Sequence, residues 1–460
     1  MLIKEILSKS KRLHLVGIGG IGMSGLAILL KESGFCVQGS DIKESENTKI
    51  LKEKGIKVFI GHSSENITSQ EVLILSSAIK SDNPEVLEAK KRGIPLLRRS
   101  QVLNYLVEDK KTICVCGAHG KTTVSGMCSF LLKNVLKRVS WFVGGRFRNS
   151  LLHARKEDFE YFIVETDESD GSFLDFHPYI TICTNIDKEH LNFYGSFDNL
   201  KKKFLEFFSR TKYKNIICLD NRYLRENLSQ IPKKFTYGFS KDADLRADVV
   251  DLKTSRFKVF LNRKYIEEFK IKLFGLHNIL NSLACICVGV ILGLDSKEIK
   301  KVLSKFEGIK RRLELKYNLK DILFFDDYAH HPQEIKESLK ALKLFSPNRL
   351  ICVFQPHRYS RFSILFKEFL DSFDGVDFLI ITDIYPAQEQ NIYQVNILDF
   401  YKEMKKRFKN RVKYLHLEEI PKFLKDFLKP KDLLVSLGAG NVNKVLEETY
   451  SLLNENNKKL

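Results

Sequence analysis

The 460-residue chain sets 76 Lys and Arg against 57 Asp and Glu, a formal charge of +19, and is 43% hydrophobic and 29% charged. That balance belongs to a soluble globular protein long enough for two or three hydrophobic cores, and it excludes a disordered or fibrous chain. The positive charge raises a nucleic-acid partner, but Lys201-Lys202-Lys203 and Lys405-Lys406-Arg407 are spread over predicted helices as solvated faces, so no nucleic acid is expected.

The longest strongly apolar run, residues 283–294, is too short to span a bilayer, and no membrane association is expected. Residues 1–12 lack the apolar core of a signal peptide. Nine cysteines without framework spacing read as reduced, buried thiols. A cytoplasmic protein is expected.

The first predicted segment opens on a strand, Leu13-His-Leu-Val, that runs into Gly17-x-Gly19-Gly20-x-Gly22 and a helix to about residue 33. Such glycines let a diphosphate approach a helix N-terminus, where amide N–H groups and the helix dipole favour an anion. A second strand, at 35–38, leads to Ser40 and Asp41, where a dinucleotide fold places its ribose-binding carboxylate. A nicotinamide dinucleotide and a nucleotide-sugar satisfy this pattern equally well, so a dehydrogenase stays open at this point. Strands at 58–60, 72–77 and 95–97, with a helix after Pro84, complete a small parallel α/β domain.

The second segment starts on the strand Lys111-Thr-Ile-Cys-Val-Cys, breaks at Gly117, and enters a helix predicted over 122–135. Gly117, Ala118, His119, Gly120, Lys121, Thr122 and Thr123 then form a phosphate loop, with Lys121 reaching the terminal phosphates and the Thr122 hydroxyl on Mg²⁺. Strict Walker spacing fails, because Gly117 stands three residues before Gly120. A strand from Tyr161 delivers Glu165 to the ligand-facing sheet edge, and a strand at 180–184 runs into Asn185-Ile-Asp-Lys-Glu-His190. Glu165 and His190 join Thr122 as candidate Mg²⁺ ligands. Considered singly, Glu165 is a solvated strand-end acid and His190 a helix cap.

Residues 211–270 read as short β pieces forming a small antiparallel insertion. Asn278 and Asn281 then share one face at the head of an apolar helix, where amides can read an adenine edge or simply cap the helix. A helix containing Lys301 to Phe306 closes at Gly308. In the third segment Ile322-Leu-Phe-Phe-Asp-Asp-Tyr-Ala-His-His brings Asp326, Asp327, Tyr328, His330 and His331 to a strand end. Adjacent residues on an extended chain point oppositely, which argues against a metal shared by the two histidines. A strand at 350–354 delivers Arg358 and Arg361, a fork for carboxylate or phosphate. Strands at 378–381 and 433–436 complete another parallel pattern, which leads to Gly438-Ala-Gly440.

Taken together, these motifs resemble the Mur ligases of peptidoglycan synthesis, and within them the alanine-adding branch, over nearly the whole chain from Gly17 to Gly440. The resemblance implies an α/β protein of three domains. Residues 1–108 would be a Rossmann-like UDP-sugar domain, 109–313 a central P-loop-type ATP domain, and 314–460 a Rossmann-like domain that takes the amino acid and closes on the other two. It implies that Gly17, Gly19, Gly20, Gly22, Ser40 and Asp41 hold the UDP-sugar, and that residues 117–123 with His277, Asn278 and Asn281 hold ATP. It places Mg²⁺ on Thr122, Glu165 and His190, and puts Lys121, Glu165, His190, Arg312, His330, Arg358 and Arg361 around the reacting groups.

The implied activity is ATP-dependent ligation of L-alanine to the lactyl carboxylate of UDP-N-acetylmuramate through an acyl phosphate. The implied partners are those two small molecules; the sequence leaves the oligomeric state open between a monomer and a weak dimer. A ligase that attaches a preformed peptide to the same UDP-sugar is the nearest alternative. The chain departs from the pattern at Ala118, at Thr166, at Asn441, and at Arg146-Phe147-Arg148, where small residues are expected after Gly-Gly.

Overall fold

The computed structural model describes residues 2–149, 151–157, 160–387 and 389–455. The chain divides into two compact units, Met1–Asp248 with Lys258–Phe269 and Leu280–Glu307, and Val249–Phe257 with Lys270–Ile279 and Gly308–Leu460. Among the described residues no helix is long and apolar enough to cross a membrane.

The first unit begins with a five-stranded parallel sheet in the order Lys57–Ile60, Cys36–Asp41, Arg12–Val16, Val72–Leu75, Leu96–Arg98. Its central strand is buried from Leu13 onward and turns at Gly17 into the helix Ile21–Glu32. That helix is buried at every position from Gly22 to Leu30, so its small residues mark close packing. A Cβ on Gly25 would stand 2.9 Å from the Phe142 ring and 3.1 Å from His153, which docks this helix on the central segment.

Beneath the glycine turn lies a buried polar network. The Glu85 carboxylate accepts from the Ser40 hydroxyl (2.5 Å) and the Asn66 amide (2.6 Å), with His62 Nδ1 at 3.2 Å and His14 Nε2 at 3.4 Å. Burial pushes the Glu85 carboxyl up, but His14 and the Ser40 and Asn66 hydrogen bonds outweigh it and bring it down to about 2. A carboxyl depressed in the folded state stabilises the fold above its unfolded pKa and loses that contribution as pH falls through its folded pKa. The window therefore runs from about 4.5 down to about 2. Glu85→Gln is expected to lower stability at pH 7 by about 3 kcal/mol. It should also flatten acid destabilisation in that window, as read from urea midpoints across pH.

The second sheet of this unit has ten strands, in the order Lys264–Lys270, Arg256–Leu261, Leu245–Asp251, Lys234–Gly238, Lys214–Cys218, Ile180–Cys183, Lys111–Cys116, Tyr161–Glu165, Ser140–Phe142, Ala154–Arg155. The middle strands are buried on both faces and read in sequence as apolar runs. Residues 211–270 do not form the separate antiparallel insertion expected from their turns. Lys214–Cys218 and Lys234–Gly238 extend the parallel ladder, and only the following strands make a hairpin, turned at Asn262 and Arg263 with φ of 46° and 67°. The helix expected to contain residues 301–306 runs over Ser296–Leu303 after Asp295 and so stops short of Phe306.

The second unit holds a six-stranded sheet in the order Glu314–Leu319, Ile322–Asp327, Asp432–Leu437, Arg349–Phe354, Phe378–Ile381, Val412–Tyr414. All pairings are parallel except the first, a hairpin turned at Lys320 and Asp321, both at positive φ. Two apolar layers cover its faces, one dominated by Phe354, Phe362, Phe369, Phe373 and Phe400. The C-terminal ends of Ile322–Asp327, Arg349–Phe354 and Asp432–Leu437 lie side by side, which gathers Asp326, Asp327, Gln355 and Gly438 along one edge.

Candidate active site

The strand Lys111–Cys116 passes through Gly117 (φ +124°) and Gly120 (φ +84°) into the helix Lys121–Leu136, one residue earlier than expected. A side chain at Gly117 would meet the Thr184 hydroxyl at 2.4 Å and the Asn185 carbonyl at 2.7 Å, and one at Gly120 would meet Asn281 Oδ1 at 2.7 Å. Both positions therefore need glycine for φ and for space. Asn185 laces the turn shut: its Oδ1 accepts from His119 N (2.9 Å), its Nδ2 donates to His119 O (2.9 Å), and its carbonyl accepts from Ala118 N (3.2 Å). His119 Nε2 lies 3.1 Å from Asp187. Asn281 borders Gly120, and Asn278 sits one turn earlier on the helix Leu276–Ile291, its amide donating to the Phe274 carbonyl. His277 precedes it with a buried Nδ1, and burial lowers its pKa.

Lys121 Nζ donates to the Gly117 carbonyl (2.6 Å) and to Glu168 Oε1 (2.6 Å). Burial alone would lower its pKa, but Glu168, Asp167 and Glu165 more than offset that and raise it, so it stays cationic. Burial pushes the Glu168 carboxyl up to about 7, with Asp167 adding to that and Lys121 opposing it. Asp167 itself is brought down to about 2, against burial, by Arg99 and Lys121.

Two groups of oxygen and nitrogen donors border this lysine. In the first, Glu165 accepts from the Thr122 hydroxyl (2.8 Å), the Ser125 hydroxyl (3.1 Å) and Gly144 N (2.6 Å). In the second, Glu168, Glu189 and His190 place donor atoms within 4.8 Å of one another, and His190 takes a left-handed backbone, φ 56°. Backbone held there by a non-glycine residue concentrates at functional sites. Glu168 Oε2 is buried and accepts no hydrogen bond. An orphaned carboxylate oxygen among hard donors fits a divalent cation such as Mg²⁺. Of the expected trio, Thr122 and Glu165 are in contact, whereas His190 belongs to the second group.

The glycine turn at 17–22 makes the other half of this unit's chemistry. Ser40 O accepts from Gly17 N and Ile18 N (2.9 Å each), and Asp41 Oδ2 accepts from Gly19 N at 2.8 Å. Asp41 thus sits at the loop, as expected. Ser40 reaches it only through its backbone, because its hydroxyl is spent on Glu85 in the core. The helix Ile21–Glu32 has no side-chain cap. A Cβ on Gly22 would meet the Arg99 guanidinium, whose Nη2 pairs with Asp167 at 3.2 Å.

In the second unit Arg311 ties the edge together: Nη2 donates to Gly438 O (2.7 Å), Nη1 to Gly440 O (3.0 Å), and Nε to Asp326 (3.2 Å). Arg311 and Arg312 both lie over the Tyr328 ring, each 5.1 Å from its centroid. His330 and His331 diverge as expected. His330 Nδ1 meets the Tyr328 carbonyl at 2.9 Å, while His331 Nδ1 accepts from Gln333 N and caps the helix Pro332–Lys343. His357 stacks on Tyr385, its ring 5.7 Å from that of His330, and Arg361 Nη1 contacts His357 Nδ1 at 3.3 Å. Burial, then His330, Arg361 and Arg358, take the His357 imidazole down to about 3, so it is neutral and its Nδ1 accepts from Arg361. Arg358 starts the following helix with φ 70°.

The sequence pattern singled out the glycine turn before the helix Lys121–Leu136 and Glu165 at its strand end, and it did not single out Glu168, Asn185, Arg99, Arg311 or His357. Glu168 was within reach, since it shares the acidic stretch with Glu165. Arg99 carried no local signal, since only packing brings it to Gly22.

Family models match the chain in three consecutive pieces: the Mur ligase family catalytic domain over residues 12–111, the Mur ligase middle domain over 115–289, and the Mur ligase glutamate ligase domain over 311–440. The UDP-N-acetylmuramate–L-alanine ligase of Dictyoglomus turgidum is 42% identical over 447 residues, covering 95% of this chain and 96% of its own. Its counterpart in Aquifex aeolicus is 39% identical over 96% and 98%. The crystal structure of the UDP-N-acetylmuramate-alanine ligase of Thermotoga maritima superposes with a TM-score of 0.83 at 27% identity, covering 97% of this chain and 99% of that one. Two nucleotide-type glycine loops in one compact unit, three matched domains in the right order, and identity sustained along both chains lead to one assignment: the chain belongs to the Mur ligase family.

Proposed function

We propose that this chain joins L-alanine to the lactyl carboxylate of UDP-N-acetylmuramate, converting ATP to ADP and phosphate, with domain boundaries near 108 and 313. The observation that carries this reading is the head of the helix Lys121–Leu136. There a glycine turn, a buried lysine and the carboxylates Glu165 and Glu168 converge, in the same compact unit as a second glycine loop suited to a different nucleotide.

A carboxylate resists attack by an amine because it is anionic and would have to expel oxide. Transfer of the γ-phosphoryl group to the lactyl carboxylate gives an acyl phosphate. The amine of L-alanine adds to the acyl carbon, and the tetrahedral adduct collapses to the amide with loss of phosphate. Phosphoryl transfer needs positioning and charge neutralisation above all. Lys121 and the amides at the head of the helix Lys121–Leu136 supply both, and Asn281, which borders Gly120, takes the base. Thr122 with Glu165, and Glu168 with Glu189 and His190, are the residues that would hold Mg²⁺, which shields phosphate charge when bound.

Arg358 and Arg361 hold the carboxylate of the incoming amino acid, with Arg312 beside them. His330 receives the proton of its ammonium group: Nδ1–H is engaged by the Tyr328 carbonyl, which assigns that role to Nε2. We also propose a cytoplasmic location; among the described residues no helix is long and apolar enough to cross a membrane.

The test is phosphate release with UDP-N-acetylmuramate, ATP and Mg²⁺, comparing L-alanine, glycine, L-serine and a tripeptide. Release is expected with L-alanine foremost. Release with the tripeptide alone would move the assignment to a peptide-adding ligase, and release with none of them would overturn it.

A further inference from the structure

Arg146 lies in the central segment just after Gly144 and Gly145, yet its guanidinium works on the glycine loop of the first segment. Nε and Nη2 both donate to Asn47 Oδ1, at 3.1 and 2.5 Å, while Nη1 pairs with Glu46. Asn47 Nδ2 in turn donates to the Gly19 carbonyl at 2.6 Å. The amide orientation admits no alternative, because a guanidinium only donates and a carbonyl only accepts. Gly19 is thereby held at both of its peptide groups, its N–H by Asp41 and its carbonyl oxygen by Asn47.

On the other side of Arg146, two residues back, Gly144 N donates to Glu165, which also accepts from Thr122 at the head of the phosphate-loop helix. The Asn47 and Arg146 side chains and a short run of backbone therefore link the turn that faces one nucleotide with the carboxylate that faces the other. Arg146 is only 16% exposed, so its grip on Asn47 is screened little by solvent. Its Glu46 partner is 63% exposed, and that arm contributes little.

We propose that Arg146 is a positioning residue for the sugar-nucleotide: acting through Asn47, it fixes the Gly19 carbonyl, and with it the turn that presents the uncapped start of the helix Ile21–Glu32 to the substrate diphosphate. This rests on the reading that residues 17–22 bind the UDP-sugar. Without Arg146 the Asn47 amide can turn, the Gly19 carbonyl loses its donor, and the loop samples orientations that do not bind a diphosphate. A misplacement of this kind costs about 10-fold in affinity, and up to about 100-fold if the loop shifts by about 1 Å.

The test measures calorimetric affinity for UDP-N-acetylmuramate and for UDP in the wild type, Arg146→Met, Arg146→Lys, Asn47→Leu, the Met/Leu double variant and Glu46→Gln, together with KM for ATP and kcat at saturation. Arg146→Met and Asn47→Leu should each weaken both UDP ligands by about 10-fold and leave KM for ATP and kcat within about twofold. The double variant should be no worse than either single one, because both break the same link. Arg146→Lys should recover part of the loss, and Glu46→Gln should bind as wild type does.

Unchanged UDP affinity in Arg146→Met, additive losses in the double variant, or an equal rise in KM for ATP would each overturn the inference. A wild type that binds neither UDP ligand would instead overturn the reading of the glycine loop beneath it. If Arg146→Met fails to fold, Asn47→Leu and Arg146→Lys decide the matter alone.

Discussion

Lys121→Met is expected to lower kcat by at least about 1000-fold while leaving UDP-N-acetylmuramate binding intact, because the lost ammonium is the main protein charge at the transferring phosphoryl group. Methionine keeps most of the volume and so isolates the charge. Removing one partner of a buried pair commonly costs about 3–5 kcal/mol, which raises the question of whether the variant folds at all. The carboxyl of Glu168 answers it: burial already pushes it up to about 7, so without Lys121 it takes a proton instead of staying as an orphaned anion. A carboxyl raised in the folded state stabilises the fold below its unfolded pKa and loses that contribution as pH rises through its folded pKa. Thermal stability of Lys121→Met should therefore be higher at pH 5 than at pH 8, the reverse of the trend Glu85 produces below pH 4.5. Phosphate release, calorimetry with UDP-N-acetylmuramate and melting curves at the two pH values check the three parts. A folded Lys121→Met protein that turns over normally would sink the assignment of the loop.

The parts of this molecule that were legible in sequence are those whose physics is local. A buried parallel strand writes itself as an apolar run, and a phosphate turn writes itself as glycines before a helix, so 111–122 and 13–22 were readable at once. Glu165 followed because a strand end has a known direction. What was not legible depends on chain segments far apart. Ser40 adjoins Asp41 in sequence, but a buried carboxylate 45 residues later captures its hydroxyl. Arg99 gains meaning only where it meets Gly22 and Asp167, and Arg146 only where it meets Asn47. Arg146 had registered in sequence merely as a departure from small residues. The strand Glu314–Leu319 was missed because it pairs through Lys320 and Asp321, both at positive φ without the glycine or asparagine that usually announces such a turn.

Glu165 and Glu168 stand three residues apart and face the same lysine, so the same substitution at each separates their roles. Glu165 accepts two hydroxyls and one amide N–H, donors that a cation can replace at a carboxylate oxygen without leaving a buried charge behind. Glu168 gives one oxygen to Lys121, and burial raises its carboxyl, so it holds a cation with a single oxygen at most while that pair is made. Glu165→Gln should lower kcat by about 100- to 1000-fold and raise the Mg²⁺ concentration for half-maximal rate by about 10- to 100-fold. Its amide nitrogen would also meet donors from Thr122, Ser125 or Gly144 head-on, so a fall of a few degrees in Tm is expected with it. Glu168→Gln should leave Lys121 held by the Gly117 carbonyl and reduce kcat by about 10-fold, with a smaller rise in Mg²⁺ demand. Mg²⁺ titrations of phosphate release at fixed ATP distinguish the two. If Glu168→Gln proves the more damaging in Mg²⁺ demand, the cation belongs with Glu168, Glu189 and His190 and not with Thr122 and Glu165, and it takes the Glu168 oxygen that Lys121 leaves open.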